Sequence, residues 1–154
     1  MNLSELKIKD PAELIKIAEE AEIEKKATEY LEFVGLGNRK YDPAGSLPYG
    51  EQRRLEIARA LASNPRLLLL DEPAAGMNPH ESYQLTQLIL KIREQGVTII
   101  MIEHDMKVMM KLADVIYVLD HGELIAQGTP NEIRENPKVI EAYLGKGAAG
   151  YAQA

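Results

Sequence analysis

Between residues 11 and 34, apolar Leu14, Ile15, Ile17, Ala18, Ala21, Ala27, Tyr30, Leu31 and Val34 recur mostly at helical spacing, separated by Glu and Lys. That pattern predicts one amphipathic helix or two in series. The run GLGNRKYDPAGS (35–46) is rich in turn residues and predicts a loop. A second helix is expected from about Glu51 to Ser63, stopped by Asn64–Pro65. The segment RLLLLDEP (66–73) is a short, continuous apolar run between turn signals, the pattern of a strand buried on both faces in a parallel sheet. AAGMNP (74–79) reads as a loop, His80 to Gln95 as a helix ended by Gly96, and VTIIMI (97–102) as a β-branched strand.

Residues 67–102 thus form one strand–helix–strand unit, expected to be right-handed. A short helix near 105–112 leads to a strand at 115–119. DHGE (120–123) predicts a hairpin turn, after which LIAQG (124–128) pairs back antiparallel. Two short helices are expected around PNEIRE (130–135) and PKVIEAYL (137–144), and GKGAAGYAQA (145–154) as a frayed tail. No internal repeat is visible.

Composition narrows the function. The 154 residues suit one domain with a core, or a piece of a larger one. A hydrophobic content of 45% with 27% charged residues reads as soluble and globular, and a net charge of −6 argues against a nucleic-acid backbone as the main ligand. With no cysteine there is no disulfide, thiolate chemistry or cysteine zinc site, which fits the cytosol. Charged residues interrupt MNLSELKIKDPAEL before any signal-peptide core forms, and no apolar run approaches the roughly 20 residues of a membrane span. Any membrane role is expected to come through a partner.

The chemistry sits at strand ends. In open parallel sheets ligands lie beyond the carboxyl ends of the strands, where Asp71 and Glu72 follow the first strand and Glu103 and His104 the second. An Asp there can hold Mg²⁺, directly or through water, a Glu beside it can orient an attacking water, and a His opposite can bond phosphoryl oxygens. The plainer alternatives are an ordinary charged turn and a hydrogen-bonded structural histidine. His80 and His121 read as solvated, and no His-x-x-x-His spacing suggests zinc. LPYGEQRRLEIARAL (47–61) puts Gly50 just before a helix, where backbone N–H groups and the helix dipole suit a phosphate. The alternative there is a plain helix start with Arg53, Arg54 and Arg59 as a solvated basic face.

In order and spacing these pieces resemble the ABC-type ATPases over about residues 25 to 145. LPYGE (47–51) resembles the signature motif, LLLLDEP (67–73) the Walker B strand with its following Glu, AAGMNP (74–79) the D-loop and IEHD (102–105) the switch-histidine loop. The run RRLEIARAL to LLLLDEPAAGMNP is most similar to ATPase subunits of branched-chain amino acid importers, with lipopolysaccharide-export ATPases a near neighbour. The resemblance implies an α/β, partial P-loop NTPase fold: a mostly parallel sheet with flanking helices, part of a helical subdomain and a C-terminal β-hairpin. Residues 1–45 would belong to the helical subdomain and loop, 46–144 to the C-terminal half of the ATPase domain, and 145–154 to a flexible tail.

The resemblance also implies roles. Glu72 and His104 would be catalytic, as general base and γ-phosphate contact, and Asp71 would support Mg²⁺. Leu47, Tyr49, Gly50 and Glu51 would cap ATP bound to a second ATPase subunit, and Gly76 and Asn78 would lie at the dimer seam. The implied partners are that second subunit and transmembrane permease subunits, with no nucleic acid, at the cytoplasmic face of the cell membrane.

Where the pattern breaks, the phosphate loop is concerned. G-x-x-x-x-G-K-[ST] occurs nowhere, and the only Gly-Lys pair, Gly145–Lys146, lacks the earlier glycine. The chain reads as a fragment lacking Walker A and the Q-loop, inactive by itself and expected to expose an apolar face and a strand edge. The alternative outcome is a truncated, non-catalytic remnant or interaction module. DNA-associated ABC ATPases fit less well, given the acidic balance and the lack of a basic arm or zinc ligands. Pro48 stands where the signature has Ser, Glu51 where it has Gln, and Asn78 where the D-loop has Asp.

Overall fold

The computed structural model describes residues 11–144, and the frayed tail expected at 145–154 lies outside them. The described residues fall into two compact units: 11–68 with 96–98, and 69–95 with 99–144.

In the first unit α1 (Pro11–Phe33) is a single continuous helix. Among its described side chains Ala18, Ala21, Ile23 and Ala27 are exposed, whereas Val34 and Leu36 just beyond its C-terminal end are buried. Two 3₁₀ turns, Gly37–Arg39 and Ala44–Ser46, occupy the expected loop. α2 (Tyr49–Leu61) buries Ile57, Ala58 and Leu61. The Arg54 guanidinium reaches back to the Val34 carbonyl at 3.3 Å, so Arg54 is a tether rather than a free basic side chain. Lys40 pairs with Glu24 of α1 at 2.8 Å.

Strands β1 (Leu67–Asp71) and β2 (Thr98–Ile102) pair with each other. Thr98 N–H donates to Arg66 O and Glu72 N–H to Ile102 O, so the strands run parallel, with Leu69 beside Ile100 and Asp71 beside Ile102. The expectation that β1 is buried on both faces is not met. Burial alternates along both strands: Leu68 is covered, whereas Leu69 is 68% and Ile100 56% exposed. Leu69, Ile100 and Ile102 therefore form one bare apolar face, because nothing among the described residues covers it.

The second unit continues with α3 (Pro79–Glu94), whose Leu85, Leu88, Ile89 and Ile92 are buried. Full burial of a side chain such as Ile92 is worth roughly 1.5–3 kcal/mol. α3 packs on α4 (Met106–Leu112), and Arg93 fixes the end of α4 through the Leu112 carbonyl at 2.9 Å and Asp114 at 3.1 Å. The hairpin forms as predicted, from β3 (Ile116–Asp120) and β4 (Glu123–Gly128), antiparallel around His121 and Gly122, both at positive φ. Its register shifts by one residue after Val118, leaving Ile125 as a bulge. α5 (Pro130–Glu135) begins on a Thr129–Glu132 capping box, and α6 (Pro137–Leu144) follows. Ile116, Ile133 and Val139 form a core under the hairpin, packed with methionines from α4.

Candidate functional site

The strand-end residues assemble within the second unit. Asp71 is the last residue of β1 and exposed, on the same bare face as Leu69. Glu72 follows with φ of 41°, a left-handed conformation uncommon for a residue with a Cβ. Its N–H remains tied to Ile102 O at 2.9 Å, so the chain turns while still anchored to β2. The turn throws the carboxylate across the strand ends, where Glu72 Oε1 stands 3.6 Å from His104 Nδ1. Both side chains stay accessible, 52% exposed for Glu72 and 72% for His104. They are open to a third molecule.

Glu103 has a different office. One of its oxygens accepts from Ala74 N–H at 3.0 Å, and the other from His104 N–H at 3.1 Å and Asp105 N–H at 3.4 Å. A carboxylate taking several backbone N–H groups is a strong, oriented brace. Glu103 thereby ties the loop after β1 to the loop after β2 and holds Glu72 opposite His104. Asp105 caps α4 by accepting from Lys107 N–H at 2.8 Å and Val108 N–H at 3.4 Å. The Tyr143 hydroxyl of α6 donates to the His104 carbonyl. Neither Glu103 as a brace nor Tyr143 was among the sequence candidates.

The loop 74–79 closes by tight turns, with Gly76 at φ 74°, a conformation glycine takes without a Cβ clash. Asn78 caps α3: its side chain accepts from His80 and Glu81 N–H at 3.0 Å, and Glu81 returns a bond to the Asn78 N–H. The cap fixes where this loop ends.

The glycine turn belongs to the first unit. The expectation that Gly50 precedes the helix is corrected: α2 begins at Tyr49, so Gly50 is its second residue and is buried. Pro48 is the N-cap, and its fixed φ sets the chain to enter the helix earlier than the sequence pattern suggested. Glu51 and Gln52 N–H already bond Pro48 O, which leaves Tyr49 and Gly50 at the open N-terminal end. The Leu47 carbonyl accepts from the Gln52 amide at 2.8 Å, and buried Leu47 anchors the segment. Tyr49 lies under the Arg53 guanidinium, 5.1 Å from ring centroid to charge, with its hydroxyl accepting from Arg53 at 3.0 Å. Arg53 is held firmly cationic, first by Glu56 and then by Tyr49. Glu51 pairs with Arg39 at 3.3 Å, and Glu51 Oε2 is left buried without a hydrogen bond. The Ser46 hydroxyl is spent on Pro43 O at 2.7 Å.

Among the described residues no cluster of three or more His, Cys, Asp or Glu could hold a metal ion alone. Asp71 is a single open carboxylate, one oxygen donor of the kind a hydrated divalent cation accepts.

One strand ending in Asp-Glu lies parallel to a second that leads into Glu-His, and open α/β folds bind ligands at such strand ends. A family model described as ABC transporter matches residues 3–75, and one described as branched-chain amino acid ATP-binding cassette transporter matches 123–149. The chain is 53% identical over 121 residues to the high-affinity branched-chain amino acid transport ATP-binding protein BraF of Pseudomonas aeruginosa, covering 78% of this chain and 48% of that protein. It is 50% identical over 122 residues to LivG of Escherichia coli, covering 79% and 48%. The solved ADP conformation of MJ1267, an ATP-binding cassette of an ABC transporter, superposes with a TM-score of 0.72 at 33% identity, over 79% of this chain and 50% of that one. A structure of cbiO1 from Clostridium perfringens gives 0.70 at 29% identity over 97% and 57%. The chain belongs to the ABC transporter ATPases and has the α/β fold of their P-loop NTPase domain. It spans about half the length of the curated relatives it matches.

Proposed function

We propose that this chain contributes the signature and Walker B half of an ATP-hydrolysing subunit that drives branched-chain amino acid import. The observation that carries the reading is the 3.6 Å approach of Glu72 to His104 across two strand ends, with both side chains open to solvent. Glu72 orients and deprotonates the attacking water, and His104 bonds an oxygen of the γ-phosphoryl group. Asp71 is the residue that would support Mg²⁺ through water, and the ion would neutralise phosphate charge when bound. Leu47, Tyr49, Gly50 and Glu51 form the segment that caps the nucleotide held by a second ATPase subunit: the Tyr49 N–H at the exposed helix start serves the phosphate, and buried Leu47 and Gly50 hold the turn beneath it. Gly76 and Asn78 lie at the seam with that subunit. Permease subunits are the membrane partners and place the chain at the cytoplasmic face; no helix of the described residues is long and apolar enough to cross a membrane.

The reading requires a phosphate loop from outside these residues, since G-x-x-x-x-G-K-[ST] does not occur in the sequence. The test is calorimetry with Mg-ATP on the chain co-purified with a Walker A-containing half of a relative. Saturable binding by the pair, weakened when His104 is replaced by Ala, supports the reading, and no binding by a folded pair refutes it. The missing loop also favours a second reading, a non-catalytic interaction module. Tight Mg-ATP binding by the chain alone would count against that one.

A further inference from the structure

A cleft of about 430 Å³ opens between α4 and the C-terminal helices α5 and α6, within the range of roughly 300–1,000 Å³ typical of small-molecule sites. Buried Ile133 and Val139 and half-buried Met106 and Met110 make it apolar. Lys107, Lys111 and Arg134 also contribute to the lining, which is almost wholly apolar; all three are exposed, so their stems line the cleft and their charged ends lie toward solvent. Lys107 and Lys111 are four residues apart on one face of α4. Among the described residues neither has an acidic partner, and Arg134 has only a loose contact with Glu135 at 3.9 Å. Among the described residues no carboxylate lines the cleft, although the chain as a whole carries a net charge of −6.

We propose that this cleft binds a small amphiphilic monocarboxylate, its aliphatic chain among Met106, Met110, Ile133 and Val139 and its carboxylate at Lys107, Lys111 and Arg134. The charge pattern selects the class. An uncharged apolar molecule leaves three cations unused, and a zwitterion brings an ammonium group for which the lining offers no acid. Methionine suits an aliphatic guest of irregular shape, because its unbranched side chain adapts to the space. The same cleft reaches the strand-end site, since Tyr143, one of its walls, donates to the His104 carbonyl. Its occupant thus sits against the segment that holds the imidazole, whether or not the chain hydrolyses ATP.

The test uses the full 154-residue chain with ¹³C-methyl methionine, titrated with sodium octanoate and, separately, with 1-octanol. Octanoate should shift the Met106 and Met110 methyl resonances saturably, leave Met77 and Met101 in place, and bind at least tenfold more tightly than octanol. The Lys107→Gln/Lys111→Gln double variant should weaken octanoate at least tenfold and leave octanol unchanged. No saturable shift, equal affinity for the two probes, or shifts confined to Met77 or Met101 would each overturn the proposal. The octanoate–octanol comparison needs no substitution, so a variant that fails to fold does not obscure the answer.

Discussion

Glu103 takes the Ala74 amide on one oxygen and the His104 amide on the other, bridging residues that lie 29 and one positions away in sequence. The bridge makes two loops into one rigid platform for Glu72 and His104. Glu103→Gln keeps the shape but replaces a charged acceptor by a neutral oxygen and an N–H₂ group facing donors. The expected cost is about 1–3 kcal/mol of stability, measured by denaturant unfolding. Hydrogen exchange at Ala74, His104 and Asp105 should quicken more than in α3, and unchanged exchange there would mean the bridge is dispensable.

Asn78 serves α3 whatever else it meets. Asn78→Ala should lose about 1 kcal/mol through the missing cap, while Asn78→Asp should retain it. Thermal unfolding of the three proteins checks this. If Asn78→Ala is as stable as the parent, the capping box contributes nothing.

The bare face of β1 and β2 predicts self-association. Leu69 and Ile100 are neighbours on it and both mostly exposed, and contiguous exposed apolar surface drives proteins together. Sedimentation velocity should show concentration-dependent association of the chain, reduced in Leu69→Glu/Ile100→Glu. Equal association in the variant would place the sticky surface elsewhere.

The start of α5 should be acid-sensitive. Glu132 is held below the usual carboxylate range, chiefly by the Thr129 N–H and then by the Thr129 hydroxyl. A depressed folded-state value means that the cap's contribution is present above the ordinary Glu range and is lost as pH falls through the lowered value. The Glu132 carboxyl ¹³C shift should therefore titrate at lower pH than in Thr129→Ala, where the hydroxyl is gone. Identical titrations would remove the hydroxyl from the cause.

Much of this was legible in the residues. Asn78-Pro79 and Thr129-Pro130 announce their helices through capping side chains, and His121-Gly122 announces the hairpin. Asp71, Glu72, Glu103 and His104 could be placed at adjacent strand ends from the order of apolar runs alone. Other features had no local signal. The four leucines of β1 look alike on both faces, so the pattern could not tell which face lacks a cover. The Pro48 cap started α2 before the amphipathic pattern begins. The Glu103 brace and the Tyr143–His104 bond join loops far apart in sequence, and the left-handed turn at Glu72 carries no glycine to mark it.

The central claim is that Glu72 and His104 serve ATP hydrolysis once a phosphate loop is supplied. Its most direct test is steady-state Mg-ATP hydrolysis by the chain co-expressed with the Walker A-containing half of the Pseudomonas relative, alongside the Glu72→Gln pair. The account predicts turnover by the parent pair that falls roughly 10²–10⁴-fold in Glu72→Gln, with nucleotide binding retained. Equal turnover in both pairs, or none in a parent pair that binds Mg-ATP, would contradict it.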